Sequence, residues 1–373
     1  MLGLLGDMSG PSYWRVLAPF TALEKRGYPC GWDRKDAPGI GSVAPLFDGV
    51  LLPRLSWSPA EKPMAEAFFA MLRRAGKLAV FDVDDDLFSP ELDRRSVLLG
   101  WADGKTADQL EAERRMRIWA LRQCDGVTVS TRRLATLVRT LTERPVVVVP
   151  NAIDLPWFRR VLRAAPGRSA PSGTVTVGWS GGKRPDDDLV AVAEAWGRVS
   201  ARCPAARFVV GGYLPPVIKT AVPADRLLVV PWLPLERYPQ GLAGVDIACC
   251  AVADSPFNRC KSQIKAIEAT VAGACVVATP TVYGSLIEHG VTGVVAESVD
   301  DWESALCELV ERPALRSMMA RRLLRVVERH HTLDGQLWRW PAAWSTIAEY
   351  ARGRLTNDGV PPVFDGSPRV VVA

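Results

Sequence analysis

The sequence predicts an α/β protein made of two Rossmann-like domains whose parallel sheets face a central cleft. Three observations lead there. Short apolar runs alternate with amphipathic helical stretches along almost the whole chain, the pattern of parallel sheets with covering helices. A turn-rich run of small residues, Ala164-Ala-Pro-Gly-Arg-Ser-Ala-Pro-Ser-Gly173, interrupts that pattern near the middle. The pattern then restarts at similar length, and 373 residues suit two domains.

In the first half, runs bounded by turn residues predict strands over 49–53, 77–83, 126–130 and 146–149. Stretches with apolar residues at helical spacing predict helices over 14–26, 60–74, 107–123 and 132–142. After the interruption, strands are expected at 174–179, 207–210, 227–230, 245–250, 274–278 and 294–296, with helices at 187–199, 261–271, 300–309 and 313–330. A last amphipathic stretch, 333–352, carries Leu337, Trp338, Trp340, Trp344, Ile347 and Tyr350, and its Pro341 bends a helix or starts a new one. The domain expectation is therefore 1–163, a linker at 164–173, a second domain at 174–332, and a helix at 333–354 returning toward the first domain. The Pro-, Gly- and Asp-rich remainder, 355–373, reads as a loosely held tail.

Composition narrows the chemistry. Hydrophobic residues make up 48% and charged residues 23%, a globular balance. No run approaches the roughly 18 apolar residues of a membrane span, and the first residues lack a basic leader, so a cytoplasmic protein is expected. The eight cysteines have no Cys-x-x-Cys spacing and read as reduced thiols acting as small hydrophobes. Only His289, His330 and His331 are present, which disfavours a Ser-His-Asp hydrolase or a His-rich zinc site. Carboxylates, backbone amides and cations are left to do the work. Charge is uneven: residues 114–168 hold twelve arginines against three acids, a surplus of nine in a chain of net charge +5. Such a segment suits an anionic partner such as nucleic acid, or simply solvated helix faces.

Two segments carry candidate chemistry. Residues 255–279 read as a cationic loop, a helix opening near Lys261, a glycine stop and a buried strand. Free amides at the start of that helix, with Asn258, Arg259, Lys261 and Ser262 nearby, suit a pyrophosphate. Glu268 lies about two turns in and is placed to accept hydrogen bonds from ribose hydroxyls, unless it is an ordinary solvent-facing glutamate. Residues 174–189 run from a strand through Gly181-Gly182 into an acid-capped helix. Glycines admit a ligand close to the backbone, and Lys183 and Arg184 add charge there. Two cationic loops at strand ends of one domain point to one ligand outside the carboxyl edge. In the first half, Asp84-Asp85-Asp86 reads as a cation chelator, as turn-forming acids, or as carboxylates facing a substrate hydroxyl. Trp14, Trp101, Trp119 and Trp157 could stack on sugars or bases, although helical spacing more often means core.

These residues resemble a known family. Asn258 to Glu268, Ala272-Gly-Ala-Cys-Val-Val-Ala-Thr279 and Leu286-Ile-Glu-His-Gly-Val-Thr-Gly293 follow the donor-sugar domain of GT-B glycosyltransferases of the family 4 type, the glycosyl transferases group 1. Gly178-Trp-Ser-Gly-Gly182 is similar to the first donor loop of a phage-like branch. Gly10-Pro-Ser-Tyr-Trp-Arg15, Phe81-Asp-Val-Asp-Asp-Asp-Leu-Phe88 and Val149-Pro-Asn-Ala-Ile-Asp154 match more loosely, so the resemblance spans most of 7–295. Two departures stand out: the first of a glutamate pair falls on Cys260, and a donor-loop arginine is replaced by Trp179. The resemblance implies GT-B architecture and sugar transfer from a nucleotide-diphosphosugar, a UDP-sugar favoured, to an acceptor hydroxyl. It implies no metal and no cofactor. Lys183, Arg184, Arg259 and Lys261 are then the pyrophosphate cations, and Trp232 and Leu233 lie where the nucleobase is expected. Ser12, Tyr13 and Arg15 would touch the donor phosphates or the acceptor, with a plain surface-helix arginine as the alternative for Arg15. Asp84 or Asp85 would act as general base if the reaction inverts the anomeric centre, and would position the acceptor if it retains it. The acceptor is a glycan, a small molecule, or a 5-hydroxymethylcytosine-type base in DNA. The DNA case would use the arginine-rich segment and place the enzyme in a phage host's cytoplasm. A sugar-nucleotide epimerase or a noncatalytic binder would keep the same fold.

Overall fold

The computed structural model describes residues 1–8, 10–55, 57–100, 102, 104–166 and 173–353. Most of the expected linker, 167–172, and the expected tail, 355–373, lie outside them. Two compact units emerge. The N-terminal unit comprises Met1–Ala152, Cys260–Ser262 and the chain from Leu333; the C-terminal unit comprises Ile153–Arg259 and Gln263–Thr332.

The N-terminal unit is built on six parallel strands: β1 (Leu2–Leu5), β2 (Gly31–Arg34), β3 (Gly49–Pro53), β4 (Leu78–Val83), β5 (Gly126–Val129) and β6 (Val146–Val148), in the order β2-β1-β3-β4-β5-β6. β3 and β5 are buried along their whole length, as expected of strands covered on both faces. The sequence reading missed β1 and β2. β1 is only four residues long at the very start, and β2, Gly-Trp-Asp-Arg, alternates half-buried and exposed residues on the sheet edge. The helical segment after β1 is not uniform. Gly10–Ser12 is α-helical, Tyr13–Leu17 widens into a π-helix, and Ala18–Glu24 returns to α-helix. Such widenings re-aim side chains, and here Arg15 is turned fully inside. At the other end of the chain, helix Leu333–Gln336 gives way to helix Arg339–Ala351, with Pro341 in the first turn of the second. Ile347 of that helix packs directly on Gly126 of β5.

The C-terminal unit has its own six parallel strands: β7 (Val175–Gly181), β8 (Ala206–Gly212), β9 (Leu227–Val230), β10 (Ile247–Cys250), β11 (Cys275–Ala278) and β12 (Val294–Val295). Their order, β12-β11-β10-β7-β8-β9, is the doubly wound arrangement, with its switch point between β7 and β10. Trp196 and Trp302 are completely buried in its core, and Trp196 packs on Phe208 with ring centroids 5.0 Å apart. The helix expected over 261–271 begins later, at Ile264. Residues 260–262 are held elsewhere: the Thr131 hydroxyl donates to the Cys260 carbonyl (2.9 Å), and the Asn151 amide donates to Ser262 Oγ (3.0 Å). Helices Pro90–Leu98 and Leu155–Arg163 were not expected, nor were the shorter Ile40–Val43, Pro216–Ala221 and Pro280–Tyr283. All eight cysteines are unbridged and seven are buried. Among the described residues no helix is long and apolar enough to cross a membrane.

Candidate active site

A hollow opens at the carboxyl edge of the C-terminal sheet, and glycines create it. β7 and β8 run parallel with Gly181 opposite Gly212, so two strands ending in glycine pairs stop side by side. Gly212 has φ +93°, and a Cβ there would fall 2.6 Å from the Gly181 carbonyl oxygen. Only a residue without a side chain lets the two backbones meet this closely. Two residues past β9, Trp232 leans over Gly182 and Gly212 while remaining 70% exposed. Leu233, Tyr238 and Lys265 stand in the walls of this hollow. It has a bare backbone floor, an aromatic flap and one cation.

Helix Ile264–Val271 supplies the inner wall, and its three-residue spacing puts Lys265 and Glu268 on one face. The Lys265 ammonium donates to the Ser180 carbonyl at the end of β7 (3.1 Å). The Tyr238 hydroxyl donates to Glu268 Oε2 (2.7 Å). Burial pushes the Glu268 carboxyl up to about 7, with Lys265 and the Tyr238 hydroxyl pulling the other way. Burial and the neighbouring Glu268 raise the Tyr238 phenol well above its ordinary value. The site thus holds a carboxylate that changes charge near neutrality, one turn along the helix from a fixed cation.

The expected donor residues divide by location. Gly181, Gly182, Trp232 and Leu233 line the hollow, and Glu268 backs it through Tyr238. Arg184 lies across the switch point, donating to the Ala251 carbonyl (3.1 Å), 3.6 Å from Asp188, and stacked on Trp179 at 5.1 Å. Asn258 is fully buried and donates to Asp188 and to the Ala253 carbonyl, pinning the loop after β10. Lys183 is exposed, and Arg259 is an exposed partner of Asp254, Nε to Oδ1 2.7 Å. Lys261 and Ser262 belong to the N-terminal unit. Sequence reasoning missed Lys265 and Tyr238. The spacing of Lys265 from Glu268 was an available signal; for Tyr238, 30 residues away on the 3-10 turn Leu235–Leu242, there was none.

In the N-terminal unit the charged residues gather at the ends of β3 and β4. Arg54 Nε lies 3.1 Å from Asp84 Oδ1, an ion-pair distance without hydrogen-bond alignment, and Arg54 Nη2 reaches Asp85 at 3.4 Å. The Lys261 ammonium bridges both oxygens of Asp85 at 3.0 and 2.8 Å. Burial raises the Asp84 carboxyl, and Arg54 offsets this in part. Asp86 is a turn-former, its Oδ1 accepting from the backbone N–H groups of Phe88 and Ser89 (both 3.0 Å).

The structure corrects the expectation for Arg15. It is neither on the surface nor available to a phosphate, because it is fully buried and its donors are engaged. Nε and Nη2 grip Asp82 at 2.9 and 2.7 Å, Nη1 donates to the Val149 carbonyl (2.6 Å) and Asn151 Oδ1 (2.9 Å), and the guanidinium stacks on Trp340 at 4.7 Å. Ser12 is also buried and donates to Asp7 (3.1 Å), and Tyr13 packs edge-on against Trp14 inside the unit. Trp119 and Trp157 pack against Phe69 and Phe158, and Trp101 lies outside the described residues.

Six of the twelve arginines in the rich run are committed to the fold. Arg114 pairs with Asp93 (3.0 Å) and Arg115 with Glu111 (2.6 Å). Arg117, Arg122 and Arg139 donate to the carbonyls of Leu87, Leu141 and Val146. Arg159 and its partner Glu328 both belong to the C-terminal unit, so the run is divided between the two units.

Residues 174–312 match the family model described as Glycosyl transferases group 1. The C-terminal unit therefore carries a glycosyltransferase domain, and the protein is a glycosyltransferase. No curated protein matches it in sequence. Among solved structures it is similar to HepE of Anabaena in complex with UDP-glucose (TM-score 0.59, 14% identity, 94% of this chain and 99% of that one). It is also similar to a glycosyltransferase from Rickettsia africae (TM-score 0.63, 11% identity, 95% and 98%) and to sucrose-phosphate synthase from Thermosynechococcus elongatus (TM-score 0.58, 14% identity, 93% and 98%). At these identities the likeness carries the fold, which is GT-B.

Proposed function

We propose that this glycosyltransferase takes its sugar from a UDP-sugar and passes it to a hydroxyl of a glycan or small molecule. The observation that carries the reading is the glycine-floored hollow under Trp232, backed by Tyr238, Glu268 and Lys265. A flat base fits between an exposed indole and bare backbone, since aromatic stacking needs only a π face. Glu268 in its ionised form accepts the ribose hydroxyls, and Lys265 faces the diphosphate, with the exposed Lys183 a further charge just past the end of β7. Negative charge develops on the departing diphosphate, so fixed cations and backbone amides there stabilise the transition state directly. That HepE binds UDP-glucose in a similar fold supports UDP as the first base to try.

Acceptor recognition falls to Asp84 or Asp85. A hydroxymethylated pyrimidine in DNA is the alternative acceptor, and with it goes the phage-type branch. The commitment of Arg114, Arg115, Arg117, Arg122, Arg139 and Arg159 to intramolecular partners weighs against DNA, which needs cations free for phosphates. The test is a panel of UDP- and GDP-sugars against simple glycan acceptors and hydroxymethylated DNA, read by acceptor mass. Mass gain on a glycan from a UDP-sugar is expected. Interconversion of the sugar with no acceptor present would instead mark an epimerase, and thermal stabilisation without any turnover would mark a binder.

A further inference from the structure

Arg54 is the one non-glycine among the described residues with a left-handed backbone, φ +50°. A large side chain rarely adopts that conformation, and it persists where the surroundings dictate it. Here the backbone N–H of Arg54 donates to the Asp82 carbonyl (2.7 Å), continuing the sheet one residue past β3. The guanidinium is thereby directed to the end of β4. There, Arg54 Nε and Asp84 Oδ1 are both buried, and neither makes a hydrogen bond. The Asp84 side chain is only 10% exposed. The two face each other as an ion pair at 3.1 Å without hydrogen-bond alignment, which leaves that carboxylate oxygen able to accept from a further donor. Asp85 is different, since both its oxygens are held by Lys261.

We infer that the two aspartates have separate tasks: Asp84 receives the acceptor hydroxyl, Arg54 is the positioning residue that holds and aims Asp84, and Asp85 anchors Lys261. This rests on the transferase reading above. Asp84 oriented in this way accepts a hydrogen bond from the attacking hydroxyl, and it takes the proton if the reaction inverts configuration. The charged groups around Asp84 are Arg54, Arg15, Asp82 and Asp85, with Asp7 acting on Arg54. Arg54 opposes the rise that burial imposes on Asp84, so losing it moves Asp84 ionisation to higher pH.

Arg54→Gly tests this well, because glycine keeps the left-handed backbone while removing the guanidinium. The variant should transfer at least about tenfold more slowly, with the acidic limb of its rate–pH profile moved upward. Stabilisation by UDP-glucose should be unchanged, and added methylguanidinium should restore part of the rate. Asp84→Asn should lose more transfer than Asp85→Asn. Arg54→Lys, which keeps the charge without the planar fork, provides a second measure should the glycine variant fold poorly: the pH limb stays in place while the rate falls. Wild-type transfer and an unmoved pH limb in Arg54→Gly, or equal losses in the two asparagine variants, would overturn the inference. A wild-type enzyme that binds no nucleotide sugar would instead remove the transferase reading beneath it.

Discussion

Replacing Arg15 with methionine separates a structural arginine from a ligand contact. The change keeps most of the apolar stem against Trp340 and deletes the guanidinium. Asp82, completely buried, would lose both guanidinium contacts and its counter-charge, retaining the Thr128 hydroxyl at 2.6 Å. The Val149 carbonyl and Asn151 Oδ1 would each lose a donor. Breaking a buried ion pair from one side costs about 3–5 kcal/mol, since the surviving charge stays buried without its partner. For a unit of this size each kcal/mol moves the melting temperature by roughly 2–4 °C, so a fall of about 6–20 °C is expected. Calorimetry would measure it, alongside UDP-glucose binding well below the transition, which should be unaffected. Removing both charges in Arg15→Met with Asp82→Leu should recover much of the loss. A variant that melts like wild type yet binds the donor weakly would refute the reasoning and make Arg15 a ligand contact.

Other outcomes follow from the C-terminal hollow. Because the folded state raises the Glu268 carboxyl to about 7, above its unfolded value, the native protein holds that proton more tightly. The cost of ionising it is absent at pH 4 and fully present above pH 7. Glu268→Gln should therefore raise the melting temperature at pH 8 and lose that advantage toward pH 4, while wild-type donor affinity, measured by calorimetry, rises through neutrality. Gly212→Ala should lower stability and abolish UDP-glucose binding, since its Cβ would strike the Gly181 carbonyl; normal binding would show that the strand ends need not meet. Trp232→Ala should leave melting within about 0.5 kcal/mol of wild type, because the ring is mostly exposed. Its KM for the donor should rise on the order of tenfold, the value of roughly 1.4 kcal/mol of lost stacking.

The sheets were legible because buried parallel strands are written as unbroken apolar runs, β6 and β11 most plainly. β1 and β2 were not: four residues at a chain start, or four alternating ones at an edge, carry too little pattern. In the site, the glycine pairs and Trp232 were legible as local chemistry, since each sits at a strand end. Arg15, Arg54 and Tyr238 were opaque for one shared reason. Their partners, Asp82, Asp84 and Glu268, lie 67, 30 and 30 positions along the chain, and only the completed sheets bring them together. An arginine at a helix start looks alike on paper whether it faces water or a buried carboxylate.

The three residues Cys260–Ser262 are lodged in the N-terminal unit although they sit in the middle of the sequence of the other. With Cys260 packed among that unit's apolar core and the chain returning there again from Leu333, neither half is a contiguous stretch of gene. A fragment cut at the apparent midpoint would carry a stray thiol and an orphaned lysine, and its counterpart would lack its closing helix. Each half is thus complete only when the whole chain is present.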